Sequence, residues 1–309
     1  MSFDLLFCWQ TDARLDTARF CDFFAGTPTF QINHLKDGNI QIWYENECTG
    51  VYFSFESGSD PADPEANLIL PSGFFDAGIA FNLNFNRPCF FAHEAMPWVE
   101  TFANTLGLWI VDPQEDWDAE PSVPKHYNAD ELTASWERHN SWAVNALHDK
   151  SKSVEEIDYR YCPREKSLYW WTYTRGKEKL QKKLGGSVFV PSMSFFTKGN
   201  DPRILTGIIW SDALSHVFPE ADIVIHNRMG RNWRGERVTK KIQVLSSEEL
   251  LPKVEHLLAP CESAVPGLRY LRPEDTNEIR KVFEGCKGAS FEEYNSIASD
   301  AFVDVPLAQ

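Results

Sequence analysis

The residues that most often carry chemistry here are eight histidines (34, 93, 126, 139, 148, 216, 226, 256) and seven cysteines (8, 21, 48, 89, 162, 261, 286). His93-Glu94 begins like the zinc-protease pattern, in which a second His one helical turn on completes a metal pair around a general-base Glu. Pro97 and Trp98 stand where that second His should lie. His139 and His148 are nine residues apart, more than two turns, so no two histidines share a helical ligand spacing. No C-x-x-C pair occurs, which argues against a zinc knuckle and a redox dithiol alike. From these spacings the chain is expected to hold no metal and no cofactor.

Nucleophile and phosphate signatures fail in the same way. There is no G-x-S-x-G elbow, and Ser187, Ser192 and Ser194 fall in an apolar strand run. Lys182-Lys-Leu-Gly-Gly186 lacks the Gly-Lys-Ser/Thr order of a phosphate loop, and no G-x-G-x-x-G follows a strand. A Cys–His nucleophile pair leaves no local signature, because its partners meet only in the fold. The expectation is therefore a chain that is not an enzyme. The alternative is an unrecognised enzyme whose Cys/His or carboxylate site is assembled in three dimensions.

Two segments remain that could bind. Met229-Gly-Arg-Asn-Trp-Arg-Gly-Glu-Arg237 is basic with one Trp, able to grip phosphate or stack a base, and equally able to be a hairpin loop with two glycines. The second is acidic and aromatic: Trp43, Tyr44, Glu45 and Glu47 in one turn, with Glu115, Asp116, Trp117, Asp118 and Glu120 further on. Aromatic anchors among steering carboxylates suit a protein interface, and these nine are the expected partner-binding residues.

Charge along the chain points the same way. Residues 1–150 hold 23 Asp or Glu against 7 Lys or Arg, a net of −16. Residues 151–245 are basic, with 10 acidic against 17 basic side chains, and the remainder is again acidic. The front would repel nucleic acid and anionic membrane and attract a basic protein, so neither a direct nucleic-acid nor a membrane partner is expected. The N-terminus has an apolar run of only five residues, Leu5 to Trp9, without the basic flank or cleavage site of a secretory signal. Scattered cysteines, odd in number, fit a reducing compartment, and a cytoplasmic location is expected.

The elements that must position these residues alternate between strand and helix. Strands are expected at Phe3–Gln10, Ile40–Tyr44, Gly50–Glu56, Gly78–Phe85 and Leu108–Val111, with helices at Asp12–Phe24 and Phe91–Leu106, Pro97 sitting near the start of the latter. A split ferredoxin-like topology fits that order. Ser57–Ser72 and the proline-rich, acidic Asp112–Pro124 read as loops. A helix over Asp130–His148, striped by Leu132, Trp136, Ala143 and Leu147, is expected to bridge two halves. Beyond it come a helix at Arg164–Leu184 and strands at Val188–Phe196, Ile204–Trp210, Ile223–His226 and Val238–Leu245. Two further helices start at Ser246 and span Glu274–Phe283. The fold class is α+β with two subdomains, each a mostly antiparallel or mixed sheet with packed helices: an acidic domain over 1–125, a bridging helix and linker over 126–155, and a second domain over 156–309.

The segment Phe81-Asn-Leu-Asn-Phe-Asn-Arg-Pro-Cys-Phe-Phe-Ala-His-Glu-Ala-Met-Pro-Trp-Val-Glu100, closing on Leu108-Trp-Ile-Val-Asp-Pro-Gln114, resembles bacterial proteins of toxin–immunity loci. With the acidic front half, the chain resembles a type VI secretion immunity protein, the partner of a DNase effector with a restriction-endonuclease-like toxin domain. The resemblance implies a stoichiometric inhibitor of a cognate, basic toxin. It carries over no catalytic residue.

Overall fold

A computed structural model describes residues 1–10, 16–58, 69–115, 123–151, 160–211, 214–263 and 265–304. The chain divides into two compact units, Met1–Ile157 and Asp158–Asp304. Each has its own sheets and helices, so the molecule is α+β throughout. No helix of the described residues is long and apolar enough to cross a membrane.

The first unit contains, in order, β1 (Ser2–Trp9), α1 (Thr17–Phe24), β2 (Phe30–His34), β3 (Ile40–Asn46), β4 (Val51–Ser57), β5 (Phe75–Asn84), α2 (Phe90–Leu106), β6 (Trp109–Val111) and α3 (Ala129–Ser151). Its six strands lie in the order β2-β3-β4-β5-β1-β6, every neighbouring pair antiparallel. Each of β5 and β6 is antiparallel to β1, which lies between them, so α2 is the crossover of a split βαβ unit. The split ferredoxin-like arrangement is thus present in enlarged form, with two strands added to its antiparallel meander.

Period-two alternation drives this sheet: Phe3, Leu5 and Phe7, then Ile42 and Tyr44, Phe53 and Phe55, and Phe81 and Leu83 are buried on one face. The helices meet that face through phenylalanines. Phe102 of α2 packs 4.9 Å from Phe55 and 5.0 Å from Phe7, and Phe24 of α1 lies 5.0 Å from Phe55. Gly107, at φ 71°, takes the left-handed conformation that ends α2. Pro97 sits well inside α2 rather than near its start. The edge strand β2 escapes the alternation rule because only Phe30 of its five residues is buried.

The helix expected to bridge two halves, α3, belongs to the first unit. Trp136 is fully buried against Phe85, and Asn140 holds the chain after β5, accepting from the Asn86 backbone N–H (2.7 Å) and donating to the Arg87 carbonyl (3.0 Å).

The second unit carries α4 (Arg164–Leu184), β7 (Met193–Lys198), β8 (Leu205–Ser211), β9 (Val217–Phe218), β10 (Ile223–Arg231), β11 (Arg237–Ser246), α5 (Ser247–Val254), β12 (Leu258–Pro260), β13 (Arg269–Leu271), α6 (Thr276–Gly285) and β14 (Tyr294–Ile297). A mixed sheet runs β11-β10-β8-β7-β14, with β8 and β10 parallel, and a small antiparallel sheet runs β12-β13-β9. Phe196, Ile223, Ile225 and Val244 form a core cluster. Gly207 is what lets them close up, since a Cβ there would stand 2.8 Å from Ile223 and from the Phe196 ring. Trp170 of α4 locks onto β7, its ring tilted at 45° with its centroid 4.6 Å from that of Phe195 and its Nε1–H donating to the Met193 carbonyl at 2.8 Å.

Candidate functional site

The sheet face of the first unit opposite its helices follows from strand register. Trp43 pairs with Ser54, Ser54 with Asn82, and Asn82 with Asp4; Gln41 pairs with Glu56, and Glu45 with Tyr52. These side chains all point one way, and they are polar, aromatic or acidic. None of the β1–β5 positions on this face is Lys or Arg. Trp43 and Tyr52 stack at 5.6 Å with planes 16° apart, and the Trp43 indole N–H donates to Glu45 at 3.3 Å. Gln41 donates to Glu56 at 2.8 Å and Asn82 donates to Asp4 at 2.6 Å. Glu45 and Glu56 are exposed, and Trp43, Tyr52 and Asp4 are partly so. The result is a hydrogen-bonded, acidic platform around an aromatic pair, bordered by Arg87, which donates to Tyr52 Oη at 2.6 and 3.1 Å, and by Phe91 of α2, whose ring lies 5.6 Å from that of Tyr52.

The nine expected partner-binding residues divide against this frame. Trp43 and Glu45 lie on the platform, and Glu47 is exposed in the turn beyond it. Tyr44 does not belong with them. Alternation sends it to the opposite face, where it is 4% exposed and donates its hydroxyl to Glu94 at 2.7 Å. Glu115 is exposed but internally engaged, accepting from Lys125 Nζ (2.9 Å) and from Tyr127 Oη (2.5 Å), contacts that hold its carboxyl below the usual carboxylate range. Asp116, Trp117, Asp118 and Glu120 lie outside the described residues. Sequence reading missed Asp4, Tyr52 and Glu56, although the alternation within each strand already assigned them to one face.

Three arrangements bear on an enzyme reading. Glu94, next to His93 in sequence, faces away from it chemically: buried in α2, its Oε1 accepts from Tyr44 Oη, Asn46 Nδ2 (2.7 Å) and Thr49 Oγ1 (3.1 Å). It pins the β3–β4 turn instead of serving a metal-bound water. Asp112, Ser135 and His139 gather in hydrolase-like order, with Ser135 Oγ donating to Asp112 Oδ2 at 2.7 Å. Both ring nitrogens of His139, however, lie against backbone carbonyls of Ser135 and Gln114, so the imidazole does not reach the hydroxyl as a base. Burial raises the Asp112 carboxyl above its ordinary range. Burial also pushes the thiols of Cys8 and Cys162 up to about 12, which suits inert core residues.

The third arrangement has the strongest chemistry. Cys89, at the N-cap of α2, and His93, four residues on, face Glu137 of α3. One ligand atom from each lies within 4.8 Å of the others, and His93 Nε2 is 3.4 Å from Glu137 Oε1. The i, i+4 spacing of Cys89 and His93 was the signal available, and Glu137 could be added only by the α2–α3 packing.

In the second unit, β10 and β11 make the expected hairpin, with Asn232–Glu236 at its tip. Trp233 is 86% exposed, and the Arg234 guanidinium lies 4.5 Å from its ring centroid. A cavity of about 560 Å³ lies beside α4, but its cations are already engaged, Lys166 by Asp222 and Arg269 by Glu255. No family model matches the chain, and no curated protein or solved structure matches it either.

Proposed function

We propose that this chain binds and neutralises a basic partner protein stoichiometrically, as an immunity protein does its cognate toxin, and that the acidic platform of the first unit is the contact surface. The observation that carries the reading is the platform's composition: Asp4, Glu45 and Glu56 share the sheet face of the Trp43–Tyr52 stack on strand positions without a Lys or Arg, and the Arg87 guanidinium beside the pair is engaged by the Tyr52 hydroxyl. Charges of one sign steer an oppositely charged partner and raise its association rate, while a central aromatic pair supplies the desolvated contact that slows release. A nuclease effector domain, basic because it must hold phosphates, is the partner class with the matching surface. The toxin–immunity resemblance of residues 81–114 points the same way, and a cytoplasmic site of action fits it.

The test is to identify any nuclease effector domain encoded beside this gene and to co-express the two. A 1:1 complex and loss of DNA cleavage at equimolar protein are expected. A neighbourhood without such a domain, absence of a complex, or inhibition unchanged by Trp43→Ala combined with Glu45→Lys would overturn the reading.

A thiol enzyme is the second reading, and it rests on the approach of Cys89, His93 and Glu137. It requires fast, pH-dependent alkylation of Cys89 by iodoacetamide in metal-free protein.

A further inference from the structure

We propose that Cys89, His93 and Glu137 bind a zinc ion that clamps α3 onto α2. The three groups are one thiol sulfur, one imidazole nitrogen and one carboxylate oxygen, the donor types zinc takes most often. A tetrahedral zinc with bonds of about 2.0 to 2.3 Å places neighbouring donors about 3.3 to 3.8 Å apart. The 3.4 Å between His93 Nε2 and Glu137 Oε1 is already such an edge. The Cys89 sulfur lies within 4.8 Å of a ligand atom from each of the other two, at most about 1 Å beyond such an edge.

The surroundings suit a metal better than a solvated ion pair. Cys89 is 2% exposed and the Nε2 atom of His93 is buried, while His93 and Glu137 keep side-chain exposures of 33% and 22%. The donors therefore converge below the surface, with a path to water on one side. Two ligands come from a single helical turn and the third from a neighbouring helix whose packing is otherwise fixed by Trp136 and Asn140. That division presets two ligands and makes the third dependent on α3. Binding takes the proton from the Cys89 thiol to solvent, forms Zn–S, Zn–N and Zn–O bonds, and leaves a water molecule in the fourth position. The site is independent of the acidic platform, so either proposal can fail alone.

The experiment uses full-length protein stripped with chelator, then titrated with Zn²⁺ by calorimetry and with Co²⁺ by absorption. Uptake of about one equivalent is expected, with about one proton released per ion as read from buffers of different ionisation enthalpy. The Co²⁺ form should show the intense visible bands of tetrahedral cobalt and a thiolate charge-transfer band in the near ultraviolet. Cys89→Ser should abolish the charge-transfer band. His93→Gln and Glu137→Gln should each weaken affinity at least about 100-fold, because loss of a direct ligand exceeds the usual cost of losing an outer partner. Cys48→Ser, which removes an exposed thiol elsewhere, should change nothing. Far-ultraviolet circular dichroism identifies any variant that does not fold, and His93→Gln, at a partly exposed position, remains informative if Cys89→Ser does not. The proposal is overturned if wild-type protein takes up no Zn²⁺. It is equally overturned if uptake survives in Cys89→Ser and His93→Gln, or if the cobalt spectrum lacks a thiolate band.

Discussion

His216 offers a quantitative test of how the second unit is packed. Its ring is 1% exposed, stacked 5.2 Å from Trp210 and set edge-on 5.0 Å from Phe189. Neither ring nitrogen meets a hydrogen-bond partner among the described residues. A charged imidazolium there loses its hydration and gains no acceptor, so burial holds its pKa down to about 4. In the unfolded chain the same ring titrates near about 6.5. Both states are neutral above that pH, so His216 adds no pH dependence there. As pH falls through about 6.5 the unfolded chain takes up a proton that the folded chain refuses, and stability drops until both states are protonated below about 4. The loss is about 2 kcal/mol at pH 5 and approaches about 3 kcal/mol at the acid limit. His216→Leu fills similar space and removes the titration. Its stability relative to wild type should therefore improve by about 2 kcal/mol between pH 7.5 and pH 5. Urea-dependent hydrogen exchange of peptides covering β8 and β10 reads the second unit by itself. An unchanged difference at the two pH values would refute the reasoning, because it would mean that the ring keeps a partner or water when charged.

Other expectations concern the first unit and the Gly207 contact. Glu94→Ala should destabilise the first unit by about 3 kcal/mol, since three donors lose one buried acceptor, and Tyr44→Phe by about 1 kcal/mol, both measurable by urea unfolding. Neither should weaken partner binding directly, whereas Trp43→Ala should speed dissociation from the basic partner at a cost of about 2 kcal/mol in surface-binding kinetics. Reversing Asp4, Glu45 and Glu56 to Lys should slow association and flatten its salt dependence; a wild-type rate at low salt would place the contact elsewhere. Gly207→Ala should cost about 1 to 3 kcal/mol by thermal melting, because the new methyl meets Ile223 and Phe196 at 2.8 Å.

Where residues are buried in a regular pattern, the fold was legible in the sequence. Arg164–Leu184 is legible as a helix because its basic last turn runs into Gly185, and Pro163 stands at its N-cap. β3, β4 and β5 announced themselves by alternation. The strands that went unread are β2, which buries one side chain, and β9, β12, β13 and β14, which are too short to show a period. Site residues were harder. Tyr44 adjoins Trp43 in sequence, yet neighbours in a strand point to opposite faces, and Tyr44 is buried on Glu94. Asp4, Tyr52 and Glu56 come from separate strands, and only register makes them neighbours of Trp43. Glu137 reaches Cys89 and His93 across a helix–helix packing that no local pattern encodes.

Because β1 lies between β5 and β6, the strand of this sheet that comes first in chain order is among the last to be satisfied. Ser2 pairs with Asn84 and Leu6 with Val111, so the apolar row Phe3, Leu5 and Phe7 must wait for nearly the whole unit to emerge. Closing such long loops precedes any reward from pairing, which slows folding and keeps an aggregation-prone segment open. On the ribosome, β3, β4 and β5 can pair with one another while β1 still lacks its second neighbour. A chain stalled before Val111 therefore exposes an unpaired hydrophobic strand edge, a natural target for a chaperone that recognises extended apolar segments.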